Sequence, residues 1–189
     1  MSLLIIFRHG ERLVNTGERS GDGPLTPKGI EDVIASAYTL AESLQKQDCR
    51  LIDVAVVSGS VRCAQTFGII WQILFRFDIT IEVCDMRKEF FSTAEEDQGW
   101  NDLYTNHRDE LLKEISEVGE KAAVLKRAGH LVWPCVKRTT TRISNAFAAG
   151  KPTVLVVTHA PHDTLIEEHY SLVDREKCLE LGKYRMLRF

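Results

Sequence analysis

Short apolar runs that stop abruptly on charge or glycine constrain this chain more than any other feature. "LLIIF" at residues 3 to 7 ends on Arg8, His9, Gly10, Glu11 and Arg12. "LIDVAVV", ending at Val57, breaks on Ser58-Gly59-Ser60, and "TVLVV" at 153 to 157 runs into Thr158-His159. Runs of this length, apolar nearly throughout, suit strands buried on both faces, as in a parallel sheet. "ITIEV" at 79 to 83 is β-branched and alternating, which reads as a further strand.

The segments between these runs read as helices. Thr26-Pro27 has the form of an N-cap followed by a proline in the first helical position. Ile30, Val33, Ile34, Ala37, Tyr38, Ala41 and Leu44 then recur at helical spacing to about Gln47. A second helix is expected from Val61 to about Phe75, and another from Pro134 to Ala149, stopped by Gly150 and Pro152. Pro161 opens one more short helix. Residues 16 to 25 are glycine-rich loop, 86 to 100 are polar and irregular, and 101 to 128 are mostly helical with weak patterning. "YRMLRF" at the end reads as a last strand, expected to be short or lost because only thirty residues follow His159.

Strands alternating with helices predict an α/β fold with a largely parallel sheet, and ligands of such sheets bind beyond the carboxyl ends of the strands. The polar clusters fall there. Arg8 and His9 follow the first strand, Ser58 to Arg62 the second, Glu89 the third, and His159 the fourth, so four separate segments converge on one rim.

Composition narrows what that rim can serve. The net charge of −3 gives no footprint for nucleic acid, so any positive site is local. Cys49, Cys63, Cys84, Cys135 and Cys178 are odd in number without CxxC spacing, which points to reduced thiols in a cytoplasmic protein and away from disulfides or a zinc site. The first apolar run is too short for a signal peptide, and nothing approaches a membrane span. One domain over 1–189 is expected, with no internal repeat.

Arg8, Arg12 and Arg62 together suit a phosphate dianion, because the guanidinium fork matches its oxygens. A histidine among arginines has its cationic form disfavoured and stays a neutral nucleophile. A carboxylic acid at the pocket edge can protonate a leaving alkoxide. The set reads as phosphoryl transfer through a phosphorylated histidine, with the arginines in place of a metal and with no cofactor.

"RHGER" at 8 to 12, "DGPLTPKG" at 22 to 29, "SGSVRCAQT" at 58 to 66 and "VVTHAP" at 156 to 161 resemble, in order, the motifs of the histidine phosphatase superfamily, the phosphoglycerate mutase-like fold. The resemblance implies a three-layer sandwich, with residues 86–130 as a variable insertion on the substrate side. It implies His9 as the nucleophile and Arg8, Arg62 and His159 as phosphate-pocket residues, with Arg12 matching the second arginine of the motif. The family's acid sits before a Gly-Trp. "MRKEFFSTAEEDQGW" supplies Glu89 for that role, with Glu95 and Glu96 as competitors.

The RHGER form with a THAP ending looks closest to the T-cell ubiquitin-ligand and ecdysteroid-phosphate phosphatases, which implies a phosphomonoesterase acting on phosphotyrosine or a small-molecule phosphate. Asn15 matches the mutase version of the first motif, but the mutase's Glu-Arg-x-Tyr-Gly loop has no counterpart. A mutase-type isomerase and a catalytically weak scaffold module are the alternatives. A homodimer is compatible with the sequence. His107, His130 and His169 read as structural or exposed. His162 also reads as structural, with a place on the pocket rim as the alternative. Trp100, Phe90 and Phe91 suit either a substrate wall or core packing.

Overall fold

A computed structural model describes residues 2–13, 23–87, 94–171 and 179–189. The four apolar runs become the strands β1 (Leu3–Arg8), β2 (Leu51–Ser58), β3 (Thr80–Arg87) and β4 (Thr153–Thr158), and a fifth, β5 (Tyr184–Arg188), closes the chain. They form one sheet in the order β3-β2-β4-β1-β5. The β2–β3, β2–β4 and β1–β4 pairs are parallel, and only β5 lies antiparallel, against β1. The expected last strand therefore exists, although it spans only five residues.

The helices α1 (Pro27–Lys46) and α2 (Val61–Arg76) cover one face. Leu3, Ile5 and Phe7 of β1 pack there against Val33, Ala37 and Leu40 of α1 and Ile70 and Leu74 of α2. On the other face lie α3 (Ala94–Asn106), α4 (Arg108–Val118), α5 (Glu120–Ala148) and α6 (His162–Ser171). Leu4 and Ile6 of β1 meet Val132, Val136 and Ile143 of α5 and Leu165 and Ile166 of α6. Burial on both sides is why the central strands lack alternation, as parallel sheets require. The fold is the expected three-layer α/β sandwich.

Local chemistry sets the ends of the first helices. The Thr26 hydroxyl accepts from the Gly29 amide at 2.9 Å, with Pro27 in the first turn. Ser60 caps α2 in the same way, accepting from the Cys63 amide.

Three expectations need correction. Pro134 does not open a helix but lies inside α5, and the helical geometry is broken at Ala128 (φ −130°, ψ 20°). Proline is a frequent first-turn residue, which is why it reads as a start, yet here packing against the sheet carries the helix through it. The third strand runs on to Arg87, because pairing with β2 supplies hydrogen bonds that its polar end does not advertise. Part of the segment read as irregular is also helix, since α3 begins at Ala94.

A close approach ties the first strand's exit to α1. A Cβ on Gly29 would collide with the Glu11 carbonyl oxygen, and one on Gly10 would stand 2.5 Å from the Gly29 carbonyl oxygen. The nearest contact at both positions is backbone on backbone, which no side-chain rotation relieves. Gly29→Ala gains helix propensity worth about 1 kcal/mol, yet the overpacking should outweigh it and leave a net loss of about 1–3 kcal/mol. Urea unfolding curves check this, and an unchanged or raised midpoint would refute the close contact.

Candidate active site

The register of β1 on β4 pairs Arg8 with Thr158. The next residue of each strand is a histidine. The His9 amide donates to the Thr158 carbonyl at 3.0 Å, and the ring centroids of His9 and His159 lie 6.5 Å apart. The two strands send their helices to opposite faces, α1 to one and α6 to the other. Neighbouring strands whose connections diverge in this way open a crevice beyond their carboxyl ends. β2, on the far side of β4, brings Arg62 in from the first turn of α2.

His9 is 6% exposed. Its Nδ1 lies 2.6 Å from the Gly10 carbonyl oxygen, which can only accept, so Nδ1 carries the proton. Nε2 therefore holds the lone pair, and Arg62 Nε–H donates to it at 3.1 Å. Burial, then Arg62, and more weakly Arg8 and Arg12, push the ring from its ordinary value of 6.5 down to about 3, while the bond to Gly10 opposes the shift. His159 is held well below the usual histidine range by burial first and then by His162, Arg62 and His9. Both imidazoles are neutral at pH 7.

The turn that carries His9 is fastened from several sides. The Gly10 amide donates to Thr66 Oγ1 at 3.3 Å, and the Gly182 amide donates to the His9 carbonyl at 2.9 Å. Glu11 accepts from the Thr26 hydroxyl at 2.9 Å, so it joins the turn to α1 and has a structural part. Arg12 forms a β-bridge with Leu25. Arg8 donates from Nη1 to the Leu179 carbonyl at 2.5 Å, and Nη2 lies 3.4 Å from Glu120 Oε2. Its cation also acts on Asp163, a buried carboxyl in the first turn of α6 that burial pushes up and Arg8 pulls back down.

Of the candidate acids, Glu89 lies outside the described residues, as do Phe90, Phe91 and Asn15. Glu96 is buried and takes both Arg138 nitrogens, at 3.1 and 2.5 Å, with the Cys135 thiol donating at 3.5 Å. A carboxylate held in a bidentate ion pair is poorly suited to proton donation, which weighs against Glu96. Glu95 is on the exposed side of α3.

Sequence reasoning gave too little weight to four residues around this centre. Thr66 ends the motif at 58 to 66 without a role of its own, and Glu120 and Asp163 stand in no motif. His162 packs edge-to-face on His159, at 4.5 Å between centroids, with Trp100 on its other side at 6.4 Å. Burial holds it down at about 4. Its spacing of three from His159, across the start of α6, is the signal that could have placed it.

Two neutral imidazoles flanked by guanidinium groups on the rim of a parallel sheet suit a phosphate dianion chemically. The family comparison agrees: residues 4–168 match the histidine phosphatase superfamily (branch 1). The chain belongs to that superfamily. No curated protein matches it significantly by sequence. Among solved structures it is similar to the protein histidine phosphatase SixA complexed with tungstate, at 14% identity and TM-score 0.59, covering 98% of this chain and 94% of that one. It is also similar to a mycobacterial glucosyl-3-phosphoglycerate phosphatase complexed with VO3, at 15% identity and TM-score 0.55, over 100% and 93%. A third similar structure, mycobacterial hydrolase 2, gives 12% identity and TM-score 0.63 over 98% and 81%. At such identities these likenesses bear on fold. No helix among the described residues is long and apolar enough to cross a membrane.

The depressed histidines make stability fall in acid. The unfolded chain protonates His9 near pH 6.5, while the folded one resists until about pH 3, so the unfolded state binds more protons between those values. Stability should be full above about pH 6.5 and decline as pH falls toward 3. Imidazole 15N shifts should show His9 neutral at pH 5. Replacing Arg62 by Leu should raise the His9 pKa, because a neighbouring cation is gone. A His9 that titrates near 6.5 in the unaltered protein would contradict this electrostatic picture.

Proposed function

We propose that the protein is a phosphomonoesterase that works through a phosphohistidine at His9. The observation that carries this reading is the His9 tautomer. With Nδ1–H committed to Gly10, the lone pair at Nε2 is directed toward Arg62, where a phosphate dianion would be drawn.

A bound monoester offers Arg62 charged oxygens in place of an imidazole nitrogen, and charge-assisted bonds are the stronger. Arg62 then moves from Nε2 onto the phosphoryl group and exposes the lone pair. Arg8 and Arg12 add positive potential, and the charge of the bound dianion favours protonation of His159, whose second ring N–H then donates to a phosphoryl oxygen. Nε2 attacks phosphorus as the bond to the ester oxygen breaks, and that oxygen leaves with a proton. Water then attacks the phosphohistidine, cleaves the N–P bond, and releases orthophosphate with His9 restored. Glu89 is the proposed proton donor from its place before Gly99-Trp100, with exposed Glu95 the remaining competitor.

The substrate class proposed is a phosphotyrosine or a small-molecule phosphate monoester, in a cytoplasmic setting. The superfamily match supports phosphatase chemistry. The oxyanions named in the SixA and glucosyl-3-phosphoglycerate phosphatase structures, tungstate and VO3, are compatible with a fold suited to phosphate-like ligands.

Hydrolysis of para-nitrophenyl phosphate should persist in EDTA and be inhibited by vanadate, whose trigonal-bipyramidal adduct resembles the transition state. Activity that EDTA abolishes and magnesium restores would sink the metal-independent mechanism. His9→Ala should abolish turnover and acid-labile 32P labelling together, and a phosphoenzyme still forming in that variant would move the nucleophile elsewhere.

A general acid contributes about 10²–10⁴-fold where the leaving group needs a proton. Glu89→Gln should therefore slow alkyl phosphates far more than para-nitrophenyl phosphate. Equal losses on both would assign the proton to another group.

A further inference from the structure

Helix α2 has two apolar faces, and among the described residues only one is packed against the rest of the fold. Cys63, Phe67, Ile70, Ile73 and Leu74 enter the core between α2 and the sheet. A separate stripe, Val61, Ala64, Gly68, Trp71 and Phe75, repeats at spacings of three and four, the period of a helix–helix seam. Val61, Trp71 and Phe75 in it are 45%, 53% and 70% exposed.

The stripe looks away from α1. The flank of α2 turned toward α1 is marked by Gln65, which accepts from the Leu25 amide, and by Arg76, which donates to the Tyr38 hydroxyl. On its outer side the stripe borders the edge strand β3. Register places Cys84 and Met86 opposite Ala55 and Val57, on the face that α2 covers, and both are exposed.

Charge is also missing from this helix. Between Arg62 and Arg76 at its two ends α2 has no charged residue, whereas α1 carries Lys28, Glu31, Asp32, Glu42 and Lys46. A helix apolar nearly all round is ordinarily buried all round. Loss of charge with retention of aromatics is the composition of an interface core.

We infer that α2 is a self-association surface through which two copies of this chain pair antiparallel about a two-fold axis near Gly68. The sizes along the stripe choose the partner. About that axis Phe75 of one copy meets Val61 of the other, Trp71 meets Ala64, and Gly68 meets Gly68. Every large side chain faces a small one, in both directions, as an isologous contact demands.

Among the described residues nothing lies within 4 Å of a Cβ built on Gly68, so their packing in the single chain does not require this glycine. Its absent side chain instead lets two backbones approach. An aromatic side chain presents roughly 150–250 Å², and Trp71 and Phe75 expose more than half of theirs. With Val61, Met86 and the flanking residues, two copies can bury on the order of 1,000 Å², the lower bound for a stable interface.

Sedimentation analysis of the full chain tests this by mass alone, independent of any activity. The unaltered protein should be a dimer, and Trp71→Glu with Phe75→Glu should make it a folded monomer. Gly68→Leu should also give a monomer while keeping the helical circular dichroism, which guards against a mere folding defect. With Cys84→Ser as background, Gly68→Cys should form an oxidised dimer that Cys84→Ser alone does not. A monomeric unaltered protein would overturn the inference, including one whose α2 face takes an unrelated protein. So would a dimer that survives both the glutamates and Gly68→Leu, or one in which Gly68→Cys yields no crosslink.

Discussion

The parallel pairing of β1 with β4 is the contact on which everything else rests. It buries apolar side chains on both faces of the sheet and sets Arg8 beside Thr158, so that the chain leaves both strands with a histidine at the same height. A slip of one residue would exchange the faces of β1 and expose Leu4 and Ile6, or Ile5 and Phe7, to the wrong layer. The register that saves the core is thus the one that assembles the crevice. α1 and α6 then diverge from adjacent strand ends, and the site opens between them.

The electrostatics follow from that placement. Histidines at the ends of buried strands are desolvated, and burial is the largest influence on His9, His159 and His162 alike. Arg62 adds to the effect on the first two. Positive surroundings usually oppose folding, because like charges gather, but here the imidazoles shed their protons and the arginines keep theirs. The result is a cationic pocket with neutral rings, which is compatible with the proposed attack of His9 on phosphorus. Among the described residues, Glu120 and Asp163 face Arg8, and Glu96 is bound to Arg138.

The helical layers differ in how far the sequence revealed them. α1 begins with a hydroxyl cap that one reads directly from Thr26, whereas the Ser60 cap of α2 is seen only in the structure. On the other face the signals mislead. Pro134 sits within α5, and Gly119 stands between α4 and α5 at φ 87°, so the breaks fall where tertiary packing puts them. The excess apolar residues of α2 were visible as a helical pattern, but whether they faced the core or solvent was not.

What the sequence by itself determined is the set of local events: short buried strands, their abrupt polar exits, two helices of which the first carries a legible cap, and the residues His9, Arg62 and His159 at those exits. Each depends on neighbours within a few positions, so periodicity and residue type suffice. Tertiary structure alone decided the strand order that makes β1 and β4 neighbours, the antiparallel β5, and the course of α5 through a proline. It also decided that Glu96 is an ion-pair partner of Arg138, forty-two residues away. Those depend on contacts between distant segments, whose energies no local pattern encodes.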